Sequence, residues 1–170
     1  LRKYFTELEG KISGCDVDIL LLSEANVSVD EIDVFNLKGY QKFYKLREKQ
    51  TGGGLVMFVK ESINADLKVT NTRTFESLSV QIKSRDKEFM VIGVYRPQNV
   101  MNVYVPKREF VEELEGVVAT FDEEKNLVLV GDMNVDLSLH NNNDTILYEN
   151  MLEGKGFFKG IFGGATRVEI

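Results

Sequence analysis

The residues best suited to chemistry sit where short apolar runs stop abruptly. Ile19–Leu22 is followed by Ser23 and Glu24, and the apolar run 127–130 is followed by Gly131, Asp132, Met133 and Asn134. In α/β sheets, side chains just past the carboxyl ends of strands line the crevice where ligands bind. A carboxylate there can hold a hard cation such as magnesium, and an amide can hydrogen-bond a phosphoryl oxygen without adding negative charge. Asp132 and Asn134 are two residues apart, so in extended backbone both project to one side, with Gly131 giving the chain room to turn.

Each of these residues also has a plain structural reading. Gly-Asp-x-Asn has the composition of an ordinary turn, Glu24 alone reads as a surface carboxylate, and Tyr95 alone as a packing residue with its hydroxyl at the rim. Gly52-Gly53-Gly54 lacks the Lys-Ser/Thr ending of a phosphate-binding P-loop and reads as a turn. His140, the sole histidine, lies in the Asn-rich stretch His140-Asn141-Asn142-Asn143-Asp144, an expected exposed loop, which weighs against its serving as general acid or base. Arg73, Glu76 and Arg96 read as surface or rim contacts.

The elements that must position these groups follow from hydrophobic period. Leu1, Tyr4, Phe5, Leu8 and Ile12 recur at helical spacing, predicting an amphipathic helix over 1–13 closed by Gly14. Ile19–Leu22 and 126–130 read as short, fully buried strands. Further strands are predicted over 40–46, 54–60 and 65–69. Leu78, Val80 and Ile82 alternate with polar neighbours, and a turn at Ser84-Arg85-Asp86-Lys87 leads into the apolar run 89–95, which together predict a β-hairpin. Pro106 suits the first turn of a helix carrying Phe110, Leu114, Val117, Val118 and Phe121 on one face. Asp144 is placed to cap a last helix carrying Ile146, Leu147 and Met151, with Gly154 to stop it.

Composition narrows the function classes. The sequence has 170 residues, 43% hydrophobic and 28% charged, enough for one domain with a real core and without the polar bias of a disordered chain. No apolar run approaches the ~20 residues a membrane-spanning helix needs. Lone Cys15 has no partner for an internal disulfide, and no Cys/His cluster signals zinc, which fits a reducing, intracellular setting. A net charge of −6 argues against nucleic-acid binding through a broad basic surface, but not against a nuclease that uses a cation to meet the phosphate.

Taken in order, Asp18-Ile-Leu-Leu-Leu-Ser-Glu24, Gly52-Gly-Gly-Leu-Val56, Glu76-Ser-Leu78, Val91-Ile-Gly-Val-Tyr-Arg-Pro97, Leu127-Val-Leu-Val-Gly-Asp-Met-Asn134 and Thr166-Arg167 resemble the blocks of the endonuclease/exonuclease/phosphatase (DNase I-like) superfamily, in its non-LTR retrotransposon endonuclease form. The resemblance implies an α/β layered fold: a four-layer α/β sandwich of two packed mixed β-sheets flanked by helices, one partial domain over 1–170, incomplete at both ends. It implies that Glu24 ligates a catalytic magnesium (manganese as an alternative), that Tyr95 contacts the target phosphate, that Asp132 orients or deprotonates the attacking water and that Asn134 hydrogen-bonds the phosphate. Ser23-Glu24-Ala25-Asn26 departs from the family's Thr-Glu-Thr/Ser-Trp form, which puts substrate contacts near Glu24 in question. The family's asparagine strand before the first helix and its Ser-Asp-His block after Thr-Arg are not in the sequence, so little or no activity is expected of this stretch alone. The parent protein is expected to nick DNA, as part of a reverse-transcriptase polyprotein working in the nucleus. A phosphatase or lipid phosphodiesterase of the same superfamily, or a non-catalytic remnant, are the competing readings.

Overall fold

The computed structural model describes residues 1, 3–47, 52–84, 87–100, 103–121, 126–158 and 160. The Thr166-Arg167 block and the centre of the turn at 85–86 lie outside them.

Helix α1 (Phe5–Ser13) leads into β1 (Ile19–Leu22), and a 3-10 turn (Ile32–Val34) precedes β2 (Tyr40–Lys45) and β3 (Leu55–Lys60). These strands form an antiparallel sheet in the order β1-β3-β2. Next come β4 (Asn64–Lys68), β5 (Glu76–Lys83), β6 (Glu88–Tyr95), β7 (Asn99–Val100), β8 (Val103–Tyr104), α2 (Lys107–Ala119), β9 (Leu127–Asp132) and α3 (Asn143–Gly154). The second sheet runs β4-β5-β6-β9 and is mixed, because β9 returns parallel to β6 after the α2 crossover.

Alternation along the strands builds the layers. Val56 and Phe58 pack with Phe5 of α1 and with Ile32 and Phe35 on the outer face of the first sheet. On its inner face Leu55, Met57 and Val59 meet Leu78, Val80 and Ile82 of β5 and Val91 and Tyr95 of β6. The opposite face of β6, Met90, Ile92 and Val94, is covered by Phe110 and Leu114 of α2 and Tyr148 and Met151 of α3. The order helix, sheet, sheet, helix is the expected four-layer sandwich. The central strand β3 is buried on both faces, residues 55–59 all being 0% exposed, which is why it is continuously apolar.

The departures from expectation have local causes. The helix predicted over 1–13 begins at Phe5, after a turn in which Tyr4 N–H donates to the Leu1 carbonyl (3.1 Å). β1 and β9 are not fully buried strands, because each lies at the edge of its sheet as described. β1 is half-buried throughout, and β9 alternates, with Leu127 and Leu129 on the helices and Val128 and Val130 exposed at 45% and 38%. The polar neighbours in β5 do not face water: Ser77, Ser79 and Gln81 are buried as well. Pro106 occupies the cap position before α2 rather than its first turn, and Phe121 falls just past its end. The cap of α3 is Asn142, whose side chain accepts from Asp144 N–H (2.9 Å), not Asp144, and the helix runs through Gly154 before Lys155 ends it. The short β7/β8 pair had no signal, since two residues per strand carry no period.

Candidate active site

Strand register assembles the first wall. β5 and β6 pair Glu76 with Tyr95, and β6 and β9 pair Tyr95 with Asp132, so three side chains a long way apart in sequence stand abreast across the end of one sheet. Gly131, one residue before Asp132, is required there. Its φ is +140°, and a Cβ built on it would lie 1.9 Å from the Val94 carbonyl oxygen. Immediately after, the chain leaves the sheet through Asn134 at φ +48°, a left-handed conformation that asparagine tolerates better than most residues. Asn134 N–H donates to Asp132 Oδ1 (3.0 Å), its side-chain Nδ2 donates to the Arg96 carbonyl (2.6 Å), and Arg96 N–H donates to the Asp132 carbonyl (2.9 Å).

The second wall comes from the other sheet. Beyond β1 the backbone turns through two left-handed residues, Glu24 (φ +51°) and Asn26 (φ +50°). Ala25 N–H and Asn26 N–H donate to the carbonyls of Gly54 (3.1 Å) and Gly53 (2.9 Å), which ties this turn to a loop whose three glycines all have positive φ. A side-chain contact joins the walls at the cavity: the Tyr95 hydroxyl donates to Glu24 Oε1. Burial, then the Glu24 carboxylate beside it and the nearby Glu76 charge, push the Tyr95 phenol well above its ordinary range, with Arg47 opposing. Tyr95 is therefore a neutral hydrogen-bond donor at physiological pH.

Glu24, Tyr95, Asp132 and Asn134 thus line a single cavity of about 400 Å³. Asn26 and Arg47 line it too and were not anticipated. Asn26 repeats the acid-x-amide spacing of Asp132 and Asn134, a signal that was available. Glu76 is not a loose rim contact: it accepts from Arg47 Nε and from Gly54 N–H (2.6 Å). Nor is Arg96 at the surface. At 2% exposure its guanidinium donates to the Val105 carbonyl (2.9 Å) and sits over the Phe110 ring, 5.4 Å from the centroid. Burial lowers its pKa, and among the described residues Nε has no partner. Arg73 is exposed as expected, and His140 is exposed and not part of the cavity lining.

The donor set suits a hard cation. The cavity offers carboxylates and amide oxygens and neither histidine nor thiolate, and magnesium is commonly held by one or two carboxylates with water and substrate oxygens completing its shell. Among the described residues no three His, Cys, Asp or Glu side chains are grouped to hold a metal ion.

The fold and this polar cavity between two sheet ends define a class, and the sequence agrees. The chain belongs to the Endonuclease/Exonuclease/phosphatase family, whose profile matches residues 2–167. Its fold is that of the endonuclease domain of TRAS1, a telomere-specific non-LTR retrotransposon (TM-score 0.66, 16% identity, covering 89% of this chain and 64% of that one). It is also that of an AP endonuclease from Archaeoglobus fulgidus (TM-score 0.59, 17% identity, 89% and 66%). ANGEL2, a 2′,3′-cyclic phosphatase solved with adenosine-2′,3′-vanadate, is similar as well (TM-score 0.57, 21% identity, 88% and 47%). The chain spans between about half and two-thirds of the length of these structures. No curated protein sequence matches it. Among the described residues no helix is long and apolar enough to cross a membrane.

Proposed function

We propose that this chain carries a large part of a magnesium-dependent phosphodiesterase site, and that the parent protein is a DNA-nicking endonuclease of the retrotransposon kind, joined to a reverse transcriptase and acting in the nucleus. The observation that carries the reading is the convergence of Glu24, Tyr95, Asp132 and Asn134 on one cavity, with the two sheets linked by Tyr95 and Glu24.

Each side chain has a role that its surroundings support. Glu24, with Asn26 and Asp132 nearby, would hold the cation, which supplies Lewis-acid stabilisation of charge on the phosphoryl oxygens. Asp132 is a half-buried carboxylate fixed by the strand pairing and by Asn134 N–H, and it would orient a water and take its proton. The Asn134 amide has two N–H donors, and one is spent on the Arg96 carbonyl, which aims the group. The other can meet a phosphoryl oxygen. The neutral Tyr95 hydroxyl is a second donor for the developing oxyanion.

The test is nicking of supercoiled plasmid by the parent protein, with and without magnesium. Asp132→Asn should lower the rate by at least ~100-fold, the scale set by losing a general base, and Glu24→Gln should lower it and raise the magnesium concentration needed, as loss of a cation ligand does. Full nicking by both variants would sink the reading. The small-phosphoester alternative is favoured by the net charge of −6 and an acidic cavity of modest size. Turnover of nucleotide or lipid phosphoesters, with plasmid left intact, would establish it instead.

A further inference from the structure

A phosphate-binding cavity gains from positive charge fixed in the protein itself, and among the described residues one side chain offers it here. Its lining contains two carboxylates, four amides and Tyr95, and among the described residues one cationic side chain, Arg47. Arg47 is not a mobile surface arginine. Its Nε donates to Glu76 Oε1, while Glu76 Oε2 accepts from Gly54 N–H at 2.6 Å, so the guanidinium is fastened to both the β5 strand and the glycine loop. Gly53 is the platform beneath the pair. A Cβ there would lie 2.6 Å from Arg47 Cζ and 2.5 Å from Glu76 Oε1, and its φ is +78°. The same pair lies close enough to Tyr95 for both charges to act on its hydroxyl in opposite directions.

We propose that Arg47 is a substrate-binding residue that takes a non-bridging oxygen of a phosphodiester entering the cavity, with Glu76 and the Gly52–Gly54 loop as its mount. The assignment rests on the phosphodiesterase reading above and names a contact that reading does not require. A guanidinium presents its donors in a planar fork suited to phosphate, so the carboxylate at Nε fixes the plane while the fork approaches the ligand. Glycine at 53 is then explained by function as well as conformation, since any side chain would push the fork off its mount.

The experiment measures binding of a short fluorescein-labelled single-stranded DNA by anisotropy at fixed magnesium over a series of salt concentrations, for wild type, Arg47→Gln, Arg47→Lys and the double variant Arg47→Gln/Glu76→Gln. Loss of one phosphate contact should weaken binding at least tenfold and lower the salt slope by about one in Arg47→Gln. Arg47→Lys should keep the slope and lose part of the affinity. The double variant leaves no unpaired Glu76 carboxylate, so it decides the matter if the single change impairs folding. Wild-type affinity and slope in a folded double variant would overturn the role of Arg47 and leave the phosphodiesterase reading standing. If the wild type binds no DNA at all, the phosphodiesterase reading on nucleic acid fails, and the assignment with it.

Discussion

The two strand ends that meet at the cavity have the same sequence logic and different construction. Both are an apolar run closed by an acid and, two residues on, an asparagine: Glu24 and Asn26 after β1, Asp132 and Asn134 after β9. Both bend through left-handed asparagines. At the β9 end the acid is still part of the strand, paired with Tyr95, and the amide is clamped by its own side chain to the Arg96 carbonyl. At the β1 end the strand stops at Leu22, the acid is exposed in a turn, and support comes from backbone bonds to a glycine loop and one hydroxyl from the opposite sheet. On the proposed roles, Asp132 would gain from the rigid mount in orienting a water, whereas Glu24 as a cation ligand could sit on a softer one because the ion itself would help to order it.

The comparison breaks most visibly at the residue before each acid. Gly131→Ala places a side chain at φ +140° against the Val94 carbonyl. It should cost on the order of 3 kcal/mol, since strain and collision add. Ser23→Ala, at the matching place in the other end, should change stability by less than ~0.5 kcal/mol. Urea unfolding of the two variants measures both, and equal effects would show the ends to be built alike. Replacing each asparagine by glycine, which accepts positive φ, isolates the side-chain contribution. Asn134→Gly should lose about 1 kcal/mol with its bond to the Arg96 carbonyl, while Asn26→Gly should be close to neutral.

Tyr95→Phe sharpens the link between the ends and has a modest effect at neutral pH, ~0.5–1 kcal/mol for one hydroxyl bond. Its signature is the pH dependence. The folded protein holds the Tyr95 proton more tightly than the unfolded chain, whose phenol ionises near pH ~10. Stability from this group is therefore intact below about pH 10 and lost as the pH rises beyond it. Tyr148, pushed up to about 12 by burial, adds a loss of the same sign. Thermal melts should show an alkaline decline that is shallower in Tyr95→Phe but not abolished. An unchanged slope would mean that the fold, through burial and the bond to Glu24, does not hold the Tyr95 proton more tightly than the unfolded chain does.

The strands and helices were legible because their periods are local: Leu78, Val80 and Ile82 alternate, and Phe110, Leu114, Val117 and Val118 share a helical face. The acid-x-amide ends were legible for the same reason, since the residue types and the breaking of an apolar run lie within a few positions. The sequence alone therefore determined the layered α/β class, the family and four residues of the cavity. Whether a strand is central or at an edge depends on what lies beside it, so the exposure of Val128 and Val130 could not be read from their apolar character. The burial of Arg96 under Phe110, and the fastening of Arg47 to Glu76 across 29 residues of chain, likewise depend on register between strands distant in sequence. Pairing register is a long-range property fixed by the packing of whole sheets. That is why the acids before the two asparagines could be found by reading along the chain, while the shared cavity, the hydroxyl that joins its two ends and the cation beside it were decided only when the sheets came together.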